Sequence, residues 1–269
     1  MKSMKGIKLN VIIHPMLWLM AAASFLTGQF LSFFILFMLV IFHEAAHGLT
    51  AAFFKWDIKK LTLMPFGGQL EVKGILNKSI SEEMAVAISG PLFHILLHLL
   101  LVSVHPSIPY FEEIYYLNIQ LLIFNLLPVW PLDGGRMVYC VLCLMFPFKK
   151  SIHLSVMISI VCLTVSLVVM IDQLQFQWLL LFIYSGVSIW LMHRNRHMQH
   201  HQFILEKWNA PTDSQKKKVE IIDAEVSVRE LIDRLYKGRS QQFILLKDGK
   251  MIGNVSDDMI IKRYFSAIK

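Results

Sequence analysis

The chain has 269 residues, of which 55% are hydrophobic and 17% charged, with a formal net charge of +7. A soluble domain carries roughly 25% charged residues, so this composition excludes an ordinary water-soluble globule, and its apolar content excludes a disordered chain. Charge is also uneven: residues 1–192 hold 11 Lys/Arg and 9 Asp/Glu, whereas residues 193–269 hold 15 and 10.

That contrast divides the chain into a membrane body, 1–192, a basic linker, 193–215, and a soluble tail, 216–269. Between residues 11 and 54 the only charged side chain is Glu44. Crossing a bilayer takes about 20 apolar residues, so the stretch splits at Thr27-Gly28-Gln29 into a short span, 11–26, and a longer one, 30–54. The basic start (Lys2, Lys5, Lys8) has the look of a signal peptide. Cleavage there would force the next span into another orientation, so the segment is read as retained. The loop at 55–82 contains short alternation around Leu70 and Val72 and reads as a β-hairpin over 64–74 at the membrane surface. It is either a plain connector or a strand edge that pairs with an extended peptide. Gly67 and Gly68 are its substrate-positioning candidates.

Further apolar runs cover 84–104, a region from about 114 broken by Pro128, Pro131 and Gly134-Gly135 that resumes at 137–148, then 152–171 and 176–192. The expected fold is a polytopic α-helical membrane protein with six transmembrane helices. With both termini cytoplasmic, every Lys and Arg of the connecting segments falls on the inner side, while 27–29, 105–113 and 172–175 hold none. This is the positive-inside pattern, so the excess positive charge reads as orientation and not as direct nucleic-acid binding. The three cysteines, Cys140, Cys143 and Cys162, sit in apolar runs and are read as packing residues.

An ionisable side chain within a span is a functional hypothesis by default, because burying it is costly. Glu44 lies in Phe42-His43-Glu44-Ala45-Ala46-His47-Gly48, an H-E-x-x-H pattern. On a helix, i and i+4 share a face, so both imidazoles can bind one zinc ion while Glu44 reaches the water it activates. The bland alternative is two interior histidines with Glu44 as polar glue, which leaves three desolvated groups without another strong partner. Two histidines leave a catalytic zinc one protein ligand short. Asp133, in Asn125-Leu-Leu-Pro-Val-Trp-Pro-Leu-Asp-Gly-Gly-Arg136, is the best third ligand, since prolines and glycines at membrane depth mark a broken helix beside a wet or protected cavity. His94 and His98 form another i, i+4 pair, read as interior polar contacts.

HEAAH in an early span followed by N-x-x-P-x-x-P-L-D-G-G in a later one resembles the site-2 protease family of intramembrane zinc metalloproteases. The short first span and single tail domain are similar to its sporulation factor IVFB-type branch. The resemblance implies one catalytic Zn2+ held by His43, His47 and Asp133, with Glu44 as catalytic acid and base and Asn125 near the substrate. It also implies a precursor transcription factor as substrate, specifically a pro-sigma factor processed during sporulation in the mother-cell-derived membrane around the forespore, and inhibitory membrane proteins as partners. Ser89-Gly-Pro-Leu-Phe-His94 departs from the family in carrying histidine where many relatives have asparagine.

Residues 193–201 are rich in His and Arg and read as a juxtamembrane segment lying on anionic lipid headgroups. In the tail, strands at 219–222, 242–246 and 251–255 and helices at 228–236 and from Ser256 onward are expected. Ser227 and Glu230 form a capping box, and 247–250 a hairpin turn. So small a core either pairs with a second copy, giving a homo-oligomer, or docks on the membrane body. The pattern resembles a single CBS module, which implies ATP binding near Ser256 and Asp258, although Met259 stands where the module's ribose-binding aspartate usually falls. The rival functions are a non-proteolytic membrane nucleotide sensor or adaptor with a structural metal, and a metal transporter, which would call for internal repeats that the sequence lacks.

Overall fold

The structure, a computed structural model, describes residues 10–64, 67–104, 109–170, 176–209, 217–223, 225–247 and 249–266. Two compact units emerge: Met1–Lys73, Met84–Pro128 and Leu132–Met137 build one, and Gly74–Glu83, Val129–Pro131 and Val138–Lys269 build the other.

The first unit opens with a strand, β1 (Asn10–Ile13), parallel to β2 (Ile58–Met64), which pairs antiparallel with β3 (Gly67–Val72). The expected hairpin is therefore present but begins earlier, at Ile58, and gains β1 as a third strand. Residues 65–66 lie outside the described residues. Residues 11–13, expected to begin the first span, are strand. The helix that follows, α1 (Pro15–Leu26), has 12 residues. At 1.5 Å per residue it covers about 18 Å, short of a hydrocarbon core of about 30 Å.

Helix α2 (Phe30–Phe53) has 24 residues and reaches about 36 Å. Its buried positions are Leu39, Val40, His43, Glu44, His47 and Ala51, a stripe at three- and four-residue spacing that places the polar groups on the interior face. Phe30, Phe34, Phe42, Leu49 and Phe53 are exposed on its other faces, which suits contact with lipid rather than water. Helix α3 (Ile80–Val104) carries Pro91 in its interior. Helix α4 (Phe111–Leu126) stops just before Pro128, and α5 (Asp133–Met145) resumes after a break that contains the cis peptide bond Trp130–Pro131. This is the broken helix expected from the proline and glycine spacing. Among the described residues, three helices are long and apolar enough to cross a membrane: Phe30–Phe53, Ile80–Ser103 and Phe148–Val169.

In the second unit, α6 (Phe148–Val169) buries Phe148, Ser151, Ile152, Ser155, Val156 and Ser159; the small serines allow close helix approach. It packs on α7 (Phe176–Asn209), a single helix of 34 residues. The segment read as a basic linker is thus helical as far as Asn209, and 210–216 lie outside the described residues. The tail sheet runs β4–β5–β6 (Lys217–Asp223, Ser240–Lys247, Lys250–Ser256), with β4 parallel to β5 and β5 antiparallel to β6. Helix α8 (Val228–Asp233) ends sooner than expected, and α9 (Asp257–Ser266) closes the fold. Ser227 caps α8 by accepting from Glu230 N. The Glu230 carboxylate, expected to complete the capping box, instead pairs with Arg234 at 2.9 Å.

The tail docks on the ends of the helices in its own unit. Phe148 N donates to Leu235 O at 2.9 Å, and the rings of Phe148 and Phe203 stack at 4.1 Å. Glu206 on α7 accepts from Leu76 N and Asn77 N, and burial pushes its carboxyl above the usual carboxylate range. Two buried ion pairs complete the seam. Lys207 contacts Asp257 at 2.9 Å, and Lys237 pairs with Glu83 in the first turn of α3. Burial holds the Lys207 ammonium below its ordinary value even beside that carboxylate.

Removing one partner of a buried pair costs about 3–5 kcal/mol, whereas an apolar replacement of both is close to neutral. Lys237→Met alone should therefore lower the melting temperature of the detergent-solubilised protein sharply, and Glu83→Leu/Lys237→Met should recover most of the loss; tryptophan fluorescence during heating reads both. Burial also holds the His200 imidazole down, at about 4. Its folded value lies below its unfolded value of about 6.5, so stability present above that pH is lost as pH falls toward 4. His200→Phe, which preserves the stacking on Phe148, should flatten the acid side of the melting-temperature profile.

Candidate metal centre

The site assembles on the interior stripe of α2. His43, Glu44 and His47 are 4%, 6% and 7% exposed, one helical turn placing the two imidazoles on the same face. Asp133 comes from the first turn of α5, after the break that frees it from the α4 helix. His43 Nε2 lies 3.0 Å and His47 Nε2 3.2 Å from the same Asp133 oxygen, Oδ2, and the two Nε2 atoms are 3.1 Å apart. Among the described residues this is the single group of three or more His, Cys, Asp or Glu side chains with the spacing of a metal site.

The protonation pattern follows from the next shell of contacts. His47 Nδ1 donates to the Val86 carbonyl at 2.6 Å, so its Nε2 presents a lone pair. Two ring nitrogens and one carboxylate oxygen then face a common point, an arrangement that mutual hydrogen bonds satisfy poorly and a cation satisfies well. Ligands about 2.0–2.1 Å from a tetrahedral zinc lie about 3.3 Å from one another, close to the triangle observed. The donor set fits zinc.

Two glycines let other elements approach this cluster. A Cβ at Gly90 on α3 would fall 2.4 Å from His43 Cε1 and 2.5 Å from His47 Nε2, and one at Gly68 on β3 would fall 2.6 Å from Glu44 Cδ. With no side chain, Gly68 brings its backbone N–H onto Glu44 Oε1. Gly67, at φ +143°, holds a backbone conformation that favours glycine, with its missing Cβ 3.5 Å from Glu44 Oε1. A third close approach is Gly134, where a Cβ would lie 2.3 Å from the Leu126 carbonyl oxygen; it seats the start of α5 against the end of α4.

Thus His43, Glu44, His47 and Asp133 come together, and Gly67 and Gly68 lie against Glu44. Asn125 lies in the last turn of α4, where its Nδ2 donates to Leu121 O at 3.1 Å. Ser256 Oγ accepts from Met259 N at 3.5 Å, and Asp258 follows in the first turn of α9. The acid buried there is Asp257, held by Lys207 and by Gln241 N at 3.1 Å. Fully buried His94 donates from Nδ1 to Asn118 Oδ1 at 2.7 Å, and Asn118 Nδ2 donates back to the His94 carbonyl at 3.0 Å. This is the interior polar role expected of His94, and its ring lies 5.0 Å from that of His43. His98 lies 5.1 Å from the ring of Tyr115. Val86, Gly90 and Asn118 were not anticipated; each acts through backbone, through an absent side chain, or through a partner 24 to 39 positions away.

Comparison with known proteins gives a consistent result. The sequence model of Peptidase family M50 matches residues 31–111 and 103–167. The chain is 34% identical over 267 residues to stage IV sporulation protein FB of Bacillus subtilis, covering 96% of this chain and 92% of that protein. It is 24% identical over 240 residues to a zinc metalloprotease of Methanocaldococcus jannaschii, covering 86% and 68% respectively. Among solved structures, the site-2 protease from Methanocaldococcus jannaschii matches with a TM-score of 0.57 at 23% identity, over 71% of this chain and 93% of that one; this likeness concerns the fold.

Gly90→Ala pushes a methyl group into both imidazoles. It is expected to reduce the zinc content of the purified protein to well below one ion per chain by elemental analysis. Gly48→Ala on α2, where a Cβ meets nothing within 4 Å, should leave zinc content unchanged.

Proposed function

The chain belongs to peptidase family M50 and is a site-2 type zinc metalloprotease of the membrane, and on that premise we propose that it cuts a membrane-associated precursor of a transcription factor near the cytoplasmic face, with zinc held by His43, His47 and Asp133 and Glu44 as acid and base. The observation that carries this reading is the triangle of donor atoms with edges of 3.0–3.2 Å, with the Glu44 carboxylate beside it held by Gly68 N–H. When bound, zinc polarises the scissile carbonyl and acidifies water. Glu44, with Oε1 engaged by Gly68, uses Oε2 to take a proton from the attacking water as the new C–O bond forms, and passes it to the leaving amine as the C–N bond breaks. The Val86 carbonyl fixes the His47 tautomer through the cycle.

Strand β3 lies at the edge of its sheet. An extended substrate pairing with that edge would bring a peptide bond past Glu44, which favours the peptide-binding role of the 64–74 hairpin over the connector. Asn125 is assigned to the substrate side on family pattern alone. The similarity to a stage IV sporulation protein supports a pro-sigma factor as the precursor and the membrane around the forespore as the location. The absence of Lys and Arg from 27–29, 105–113 and 172–175 supports six crossings with both termini cytoplasmic. The division into a membrane protease, 1–192, a basic segment, 193–215, and a regulatory tail, 216–269, rests on charge density. The β4–α8–β5–β6–α9 order supports a CBS-like tail; ATP binding near Ser256 and Asp258 is assigned on the module's pattern alone. The alternative of a sensor or adaptor with a structural metal gives Glu44 no task, since it is not one of the three converging donors.

Purified protein tested with a candidate pro-sigma factor separates these readings. Glu44→Gln should retain zinc and lose cleavage by about 10²–10⁴-fold, the range of a positioned acid–base group. Asp133→Ala should lose zinc as well as activity. Equal cleavage by wild type and Glu44→Gln sinks the assignment of Glu44, and full zinc content in Asp133→Ala sinks the third ligand.

A further inference from the structure

We propose that the adjoining ends of α6 and α7 form a binding site for the phosphodiester headgroup of an anionic phospholipid. A cavity of about 260 Å³ lies there, lined by Lys149, Ile152 and His153 of α6 and by Arg196, His197 and His200 of α7. Five of these six side chains can donate a hydrogen bond or carry positive charge, and they converge from two helices. Arg196 Nη1 and His153 Nδ1 are 3.5 Å apart across the helix pair. Ile152 and His200 are buried and form the inner wall. Among the described residues, Asp233 faces the group: it pairs with Lys149 and lies 3.8 Å from His200 Nε2. Lys149 and Arg196 together outweigh it, so the cavity retains a net positive charge and suits a singly charged anion.

The surroundings identify the source of that phosphate. On α6 the spacing 149, 153, 157, 160 and 161 continues one face of the helix, and Met157, Ile160 and Val161 are exposed apolar side chains. On α7 the face of His197 continues back through His193 to Trp190 and Val187, both exposed. Trp190 also lies 5.4 Å beneath the Arg194 guanidinium, an amphipathic ring and a cation at the level where membrane interfaces collect both. The basic cavity therefore opens onto two exposed apolar stripes, the shape of a headgroup site followed by a bed for acyl chains. A free phosphate or a soluble phosphomonoester uses the cations and leaves the stripes uncovered. Basic pockets between membrane helices on the cytoplasmic side are suited to such headgroups.

The test uses the full chain in phosphatidylcholine nanodiscs, with and without phosphatidylglycerol, and counts retained lipid by native mass spectrometry. Wild type should retain phosphatidylglycerol in preference to phosphatidylcholine. Arg196→Ala/His197→Ala should lower that retention about fivefold, the scale of one lost cation near the surface, and Arg196→Lys should retain most of it. Lys149 is left intact because it also holds Asp233. The wild-type comparison requires no variant: equal retention of the two lipids overturns the proposal. So does undiminished retention in a folded Ala pair. Displacement of the lipid by millimolar inorganic phosphate assigns the cavity to a soluble anion and overturns it as well.

Discussion

Three lone pairs aimed at one point inside an apolar bundle are the constraint on which the first unit depends. His43, His47 and Asp133 are drawn out of water and placed 3.0–3.2 Å apart, a geometry that is costly without a cation and favourable with one. Much of the local architecture follows from maintaining it. The α2 stripe faces inward, α3 must come close enough for Val86 to accept from His47, and the chain between α4 and α5 must break so that a carboxylate can enter from a helix start. Gly90, Gly68 and Gly134 stand where backbone meets site or neighbour at distances that no Cβ tolerates.

The tail poses a different problem. Its sheet and two short helices bury little apolar surface alone. The second unit solves this by giving the tail charged anchors in the ends of the membrane-facing helices, Glu83 for Lys237 and Lys207 for Asp257. Buried ion pairs contribute modestly to stability, because desolvation offsets much of the Coulomb gain. Their effect is on position: a shifted docking arrangement strands two lysines and two carboxylates in an apolar seam. The aromatic stack of Phe148 on Phe203 supplies the apolar part of the same seam.

The three converging donors were legible in the sequence because a single helical turn links His43 to His47, and because Asp133 stands in a stretch of prolines and glycines that no intact span would carry. The hairpin was legible in its second strand. Its partner β1 was not, since Asn10–Ile13 merges into an apolar run and four residues show no usable period. The same merging made the first apolar run, 11–26, read as longer than the helix α1 within it. Residues 193–209 read as a linker by charge, yet charge density does not distinguish a solvated helix from a coil, and α7 continues through them. The Val86 carbonyl, the Gly90 approach and the Glu83–Lys237 pair are tertiary facts that no spacing announces.

The unbroken course of α7 has a consequence of its own. A helix holds angular phase: each residue advances it by about 100° and 1.5 Å. Its apolar beginning and its last turn, where Glu206 holds Leu76 and Asn77 and Lys207 holds Asp257, are therefore locked in rotation as well as in distance. One residue inserted near His201 would swing those anchors by about 100°, whereas seven would return them to nearly the same azimuth about 10 Å further out. The tail is thus keyed to α7 like a bit on a shaft, and any drift in the length of that helix must come in whole turns to leave its orientation intact.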